Sequence, residues 1–305
     1  EIVTPARMPA DTPEARKTRI LRGLGLSIVQ RRLQSRVNAG ESALLGVNLF
    51  DAQFFGAARR TGVSAVAAPA RWREGLAEIE QALRAARDHG FTQAELDEQL
   101  ANLRNSVSIA ARQAGTRETA ALADALFESW RSREVFLHPA DNAALYEAME
   151  PDLTVEAVEA AFETMWGHAA PRVFVAGSTA MADGAAAVEA AWREARAQPV
   201  EPPQASGPDA FAYTGFGPPG EVAARAEVVD LGLVQYRFAN NVRLNVKPTD
   251  FESNAVHVRV DFGAGARRPA PSAGMGGIVC GSFGGGGLEA HDADALQRLL
   301  AGRSV

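Results

Sequence analysis

Five histidines, one cysteine and scattered carboxylates are the side chains of this 305-residue chain that could hold a metal or move a proton. The histidines are His89, His138, His168, His257 and His291. None opens an HExxH or HxxEH pattern, and no two stand three to five residues apart. No helix therefore presents a pair of imidazoles to one ion. His89 precedes Gly90, a helix stop, where a positive charge suits the helix C-terminus. His257 alternates with Val256 and Val258 and reads as a surface strand residue. Cys280 has no His or Lys near it in sequence to lower its pKa, so it reads as a buried or incidental thiol rather than a nucleophile. A single thiol also excludes an internal disulfide and every zinc site needing two or more thiolates. Asp292 and Asp294 flank a helix start and read as capping groups, and no GxSxG occurs.

Two glycine-rich segments could cradle a phosphate. Gly215-Phe216-Gly217-Pro218-Pro219-Gly220 has the letters of a dinucleotide fingerprint, which needs a preceding strand and free N–H groups at a helix start. Pro218 and Pro219 remove two of those donors, so a nucleotide site is rejected here. GMGGIVCGSFGGGG (274–287) lacks the Lys and Ser/Thr that follow the last glycine of a P-loop, since Leu288-Glu289 stand there. It reads as a flexible or closely packed backbone segment.

The elements that position these residues begin at Asp11-Thr12-Pro13-Glu14, a helix start with a cap, a first-turn proline and an early acid. Ile20, Leu21, Leu24, Ile28, Leu33 and Val37 follow at helical spacing. The Arg and Lys at 16, 17, 19, 22, 31, 32 and 36 read as a solvated basic face, since no aromatic interleaving or glycine loop supports phosphate binding. ALLGVNLF and GVSAVAA read as strands around a turn at Arg59-Arg60-Thr61-Gly62. Trp72, Leu76, Ile79, Leu83 and Ala86 mark a helix ending at Gly90, and Thr92-Gln93-Ala94-Glu95 is a capping box opening the next. Helical patterns cover about 117–132, 140–149 and 154–166; PRVFVAG (171–177) reads as a short buried strand, and a helix spans about 183–197.

Residues 198–220 hold 6 prolines and 4 glycines in 23 positions, the composition of a linker between domains. Beyond it AEVVDLG, LVQYRFA, VRLNVKP and AVHVRVDFG read as strands, with a tight turn at Asn240-Asn241. Residues 263–287 hold 10 glycines in 25 positions, and a last short helix covers 292–301. Helices mixed with paired strands, without a strand–helix–strand rhythm, predict an α+β fold: an antiparallel sheet flanked by helices. The net charge of −6 offers no basic field for nucleic acid or anionic lipid. No apolar run reaches 18 residues, so a transmembrane helix is not expected. The chain opens on Glu1 without an initiator Met or a signal-peptide pattern, which fits processing or truncation equally, and RLLAGRSV reads as a natural C-terminus.

HGFTQAELDEQLANLRN (89–105) resembles the G-F-T-x-x-E-L helix of the insulinase/pitrilysin-type zinc metallopeptidases, the inverzincins. VVDLGLVQYRFANNVRLNVKPTDFESNAVHVRVDFGAG (228–265) is similar to the entry into a lobe of that family, where strands precede the metal helix. The order of elements over 14–177, with Leu153-Thr154-Val155-Glu156 before VFVAG, is similar to the second half of such a lobe. Together these cover nearly the whole chain.

The resemblance implies two similar α+β lobes enclosing a chamber. Residues 1–197 would be the second domain of the first lobe, 198–220 the inter-lobe linker, and 221–305 the strand-rich start of a second, non-catalytic lobe. The family's HxxEH belongs to a domain with no counterpart here, and the related position reads GMGGIVCGSFGGGG. No catalytic or metal-ligating residue carries over, and no substrate-binding residue is assigned. The expectation is a non-catalytic central part of a zinc metalloendopeptidase, with zinc in the parent protein and a peptide or unfolded polypeptide as its substrate. The sheet would be completed by the remaining domains or by self-association, in the periplasm or else the cytoplasm. The alternatives are an inactive family member acting as scaffold or partner subunit and, from an unrelated class, a phosphate-binding module. Limited proteolysis is expected to cut first between about 198 and 220, and a first cut inside 93–113 would displace the domain boundary.

Overall fold

The structure is a computed structural model that describes residues 1–303 except 7, 69, 168–169, 179–182, 204–209, 264–274 and 283–284. Helix α1 (Pro13–Asn38) is the axis of the first part, capped by the Thr12 hydroxyl accepting from the Ala15 N–H. Strands β1 (Ile2–Pro5), β2 (Leu44–Phe54) and β3 (Ala58–Ala67) form an antiparallel sheet in the order β1-β3-β2. Helices α2 (Trp72–His89), α3 (Gln93–Arg112), α4 (Thr119–Ser132), α5 (Pro139–Met149), α6 (Val155–Trp166) and α7 (Gly184–Ala197) follow. A second antiparallel sheet holds β4 (Val222–Val228), β5 (Leu233–Phe238) and β6 (Arg243–Val246) in sequence order, and α8 (Met275–Ser282) and α9 (Ala293–Leu299) come last. The α+β class with antiparallel sheets flanked by helices is thus the observed architecture.

The core lies where α1 meets β2, α3 and α6. Leu24, Ile28, Val29 and Leu33 pack with Leu49, Phe91, Leu96, Val158 and Phe162, all of them buried. Each such side chain contributes roughly 1.5–3 kcal/mol on leaving water. A Cβ on Gly25 would stand 3.0 Å from a Phe162 ring carbon, so the lack of a side chain there sets the close approach of α1 and α6. The capping box at Thr92 and Glu95 is present as read from the sequence.

Several expectations need correction. The hairpin joining β2 and β3 turns at Phe55-Gly56, with φ of 49° and 68° and the Ala57 N–H bonded to the Phe54 carbonyl. Two left-handed residues match the twist of the flanking strands, so Arg59, Arg60 and Thr61 lie within β3 instead of forming the turn. Residues 171–177 form no buried strand: Phe174 is 89% exposed. Only Arg172 pairs, exchanging two backbone hydrogen bonds with Glu1 at the edge of the first sheet. Strand β4 starts earlier than read and ends at Val228, where a single helical turn intervenes. Residues 255–263 join no ladder among the described residues. The segment around Cys280, read as a flexible or closely packed backbone segment, contains α8.

The basic face of α1 is not a solvated one. Arg16 and Arg19 bind Asp11, Arg22 and Arg59 face Asp51, Arg32 binds Glu95, and Arg31 bridges Glu98 of α3 and Asp294 of α9. Spacing along one helix says nothing of the carboxylates that other elements bring to it. These pairs dock α9 onto α1 and α3, with the Gly302 N–H donating to Asn102 Oδ1 at 2.8 Å.

Burial pushes the Asp11 carboxyl up, but hydrogen bonds from Arg16, the Val135 N–H and Arg19 overcome it and lower it from 3.8 to about 2. Its stabilising contribution is therefore full above pH 3.8 and lost as the pH falls through about 2. Asp11→Asn is expected to cost about 1–3 kcal/mol at neutral pH and to flatten the acid limb of a pH–stability curve by that amount. Thermal melts at stepped pH check this, and an unchanged acid limb would contradict it.

Candidate functional site

The histidines are dispersed. His89 Nε2 lies 3.0 Å from the Val200 carbonyl, at the end of α2. His138 caps α5, its Nδ1 accepting from the Ala140 N–H. His257 is exposed and paired with Glu252 at 2.9 Å; it belongs to no strand, contrary to its reading as a strand residue. His291 is buried, accepts from the Ala212 N–H through Nε2 and stacks on Phe211. His168 and the Cys280 side chain lie outside the described residues. Asp292 caps α9 as expected, whereas Asp294 is an ion-pair partner of Arg31 and Arg298. Among the described residues no group of three or more His, Cys, Asp or Glu is arranged to hold a metal ion. The described donor set does not fit a zinc site.

What the structure presents instead is a surface. No residue of β4, β5 or β6 is buried. Within the sheet, β6 pairs with β5 through Val234↔Val246 to Arg237↔Arg243, and its other edge takes no strand among the described residues. Asn241, with φ of 65°, makes the hairpin turn read from Asn240-Asn241. The next segment then carries Val256, Val258, Val260 and Phe262 at alternate positions, between 75% and 88% exposed. His257, Arg259 and Asp261 alternate with them. This period-two row suits a strand covered on one face. Among the described residues it joins no ladder. Leu244 and Val246 of β6 are likewise exposed. The alternation was legible in the sequence, and so was the expectation that this sheet would need further polypeptide to complete it.

The phrase HGFTQAEL is positioned for support rather than chemistry. Gly90 has φ of 70°, and the Glu159 carboxylate occupies the place a Cβ would take. That carboxylate accepts the Phe91 N–H at 3.0 Å. Arg32 binds both Glu95 oxygens and the Gly90 carbonyl, and its guanidinium lies over the Phe91 ring at 5.3 Å. Burial pushes the Glu95 carboxyl up; hydrogen bonds from Arg32 and Thr92 hold it below its ordinary value. Helices α1, α3 and α6 are thereby tied at one corner.

No protein-family model and no curated protein matches the sequence. Among solved structures, the fold is similar to the periplasmic protease PqqL from Escherichia coli, with a TM-score of 0.55 and 15% identity, over 81% of this chain and 28% of that one. It is also similar to a predicted insulinase family protease from Yersinia pestis, with a TM-score of 0.50 and 15% identity, over 64% of this chain and 42% of that one. The fold thus resembles part of the lobes of insulinase-family proteases, and the chain spans less than half the length of either structure. Among the described residues no helix is long and apolar enough to cross a membrane.

Metal analysis after dialysis is expected to find well under one zinc per chain, since scattered single imidazoles bind weakly. One zinc per chain held by two or more of the five histidines would contradict this.

Proposed function

We propose that this chain is a non-catalytic part of a zinc-dependent metalloendopeptidase of the insulinase/pitrilysin type, forming part of the wall of a peptide-enclosing chamber. The observation that carries the proposal is the exposed row Val256, Val258, Val260 and Phe262, which follows β6 in the chain, together with the edge of β6 that takes no strand among the described residues, in a fold shared with proteases. An apolar strand face and an unpaired edge recruit further polypeptide, because pairing satisfies the backbone while burial removes the valines from water. The zinc and the general base for peptide-bond hydrolysis would come from that further polypeptide. The substrate would be a peptide or an unfolded chain. By analogy with PqqL, described as periplasmic, the periplasm is the proposed compartment.

With zinc present, the chain alone is expected to leave a quenched fluorogenic peptide intact. Adding the HxxEH-bearing part of the parent polypeptide should produce hydrolysis. The double variant Val258→Asp/Val260→Asp should weaken that rescue at least about tenfold by placing charges in the new interface. Chelator-sensitive turnover by the chain alone would overturn the non-catalytic reading. A stable complex without turnover would instead identify an inactive scaffold.

A further inference from the structure

A cleft of about 550 Å³ opens between α2, α7, the end of α6 and Ile2 of β1. This is within the range of about 300–1,000 Å³ typical of small-molecule sites. Its lining combines two indoles, Trp166 and Trp192, with three guanidinium groups, Arg84, Arg87 and Arg196. Glu80, also in the lining, is buried and bonded to Arg84, with Arg196 at 3.9 Å. Arg84 further donates to the Ala195 carbonyl, tying α2 to α7. Arg87 uses Nε and Nη2 on Glu163. The Nη1 groups of Arg84 and Arg87 have no partner among the described residues, and the Arg196 side chain is 60% exposed. The Trp166 Nε1–H is buried without an acceptor, although buried donors in native structures are nearly always paired.

The charges decide the ligand. Among the described residues, three arginines against Glu80 and Glu163 leave one positive charge at the cleft, in a chain whose net charge is −6. A single surplus charge suits a monoanion better than a dianionic phosphate. Guanidinium donors match a carboxylate, and the indoles with Leu83 and Ile2 suit a flat apolar body. We propose that this cleft binds a small carboxylate carrying an aromatic or comparable apolar group, either a free acid or the C-terminal residue of a peptide. The site is independent of the chamber-wall reading.

Calorimetric titration of the full chain with 3-phenylpropionate, backed by indole fluorescence, tests the proposal. Saturable binding is expected at about millimolar concentration, the range set for a probe of this size. The neutral 3-phenylpropionamide should bind at least about tenfold more weakly, and phenyl phosphate no more tightly than the carboxylate. Arg196→Ala and Trp192→Ala should each weaken the carboxylate about tenfold while the melting curve stays close to that of the parent chain, and Trp130→Ala on α4 should leave binding unchanged. An acetylated tripeptide ending in phenylalanine, compared with its C-terminal amide, separates a peptide terminus from a free acid; preference for the free carboxylate supports the proposal in either case. Equal affinity for acid and amide, no saturation by the acid, or indifference to both cleft substitutions would overturn it.

Discussion

A β-strand is held by a neighbour: its N–H and C=O groups point sideways, and each must meet an acceptor or donor from the next strand or from water. In the first sheet β3 has partners on both sides, and α1 with the helices around it covers the sheet, so its strands contribute to a buried core. In the second sheet β5 has partners on both sides, but none of its strands has a buried residue, and among the described residues the valine row after β6 joins no ladder and stays exposed. That difference separates a part of the chain with a buried core from one whose strands, among the described residues, have none.

The well-packed part depends on charge as much as on apolar burial. Arg32 ties the capping box of α3 to the turn at Gly90, where Phe91 enters the core edge-on to Phe162 at 5.4 Å. Arg31 holds the C-terminal helix α9 against the same axis through Asp294. Burial pushes the Asp294 carboxyl up, and the hydrogen bonds from Arg31 and Ser35 bring it below its ordinary value. Pairs of this kind lose much of their Coulomb gain to desolvation, so their clearest effect is to fix how helices meet. The residues behind the family resemblance therefore act by positioning: Gly90 for a left-handed backbone, Phe91 for the core, Thr92 and Glu95 for a helix start.

Much of this was legible in the sequence, because it is local. Thr12-Pro13, the Thr92–Glu95 box, Gly90, Asn240-Asn241 and Asp292 each act on backbone groups a few residues away. What escaped the sequence depends on distant partners. The ion-paired face of α1 needs carboxylates from β2, α3 and α9. β1 is four residues long, and it is a strand because β3 lies alongside it. PRVFVAG and AVHVRVDFG have strand composition, but among the described residues neither joins a ladder, and PRVFVAG meets the first sheet only through Arg172 and Glu1. The arginines of the cleft, Arg84 and Arg87 on α2 and Arg196 on α7, converge only when the two helices pack, and nothing in either segment alone marks them.

Hydrogen exchange on the monomeric full chain tests the difference between the two parts most directly. Amides across 93–107 in α3 should exchange slowly, at rates set by global unfolding, while those across 226–262 should exchange far faster and be slowest within β5. Protection throughout 226–262 equal to that of 93–107 in the monomer would contradict the account, because the strands after the linker would then form a finished domain needing no further polypeptide.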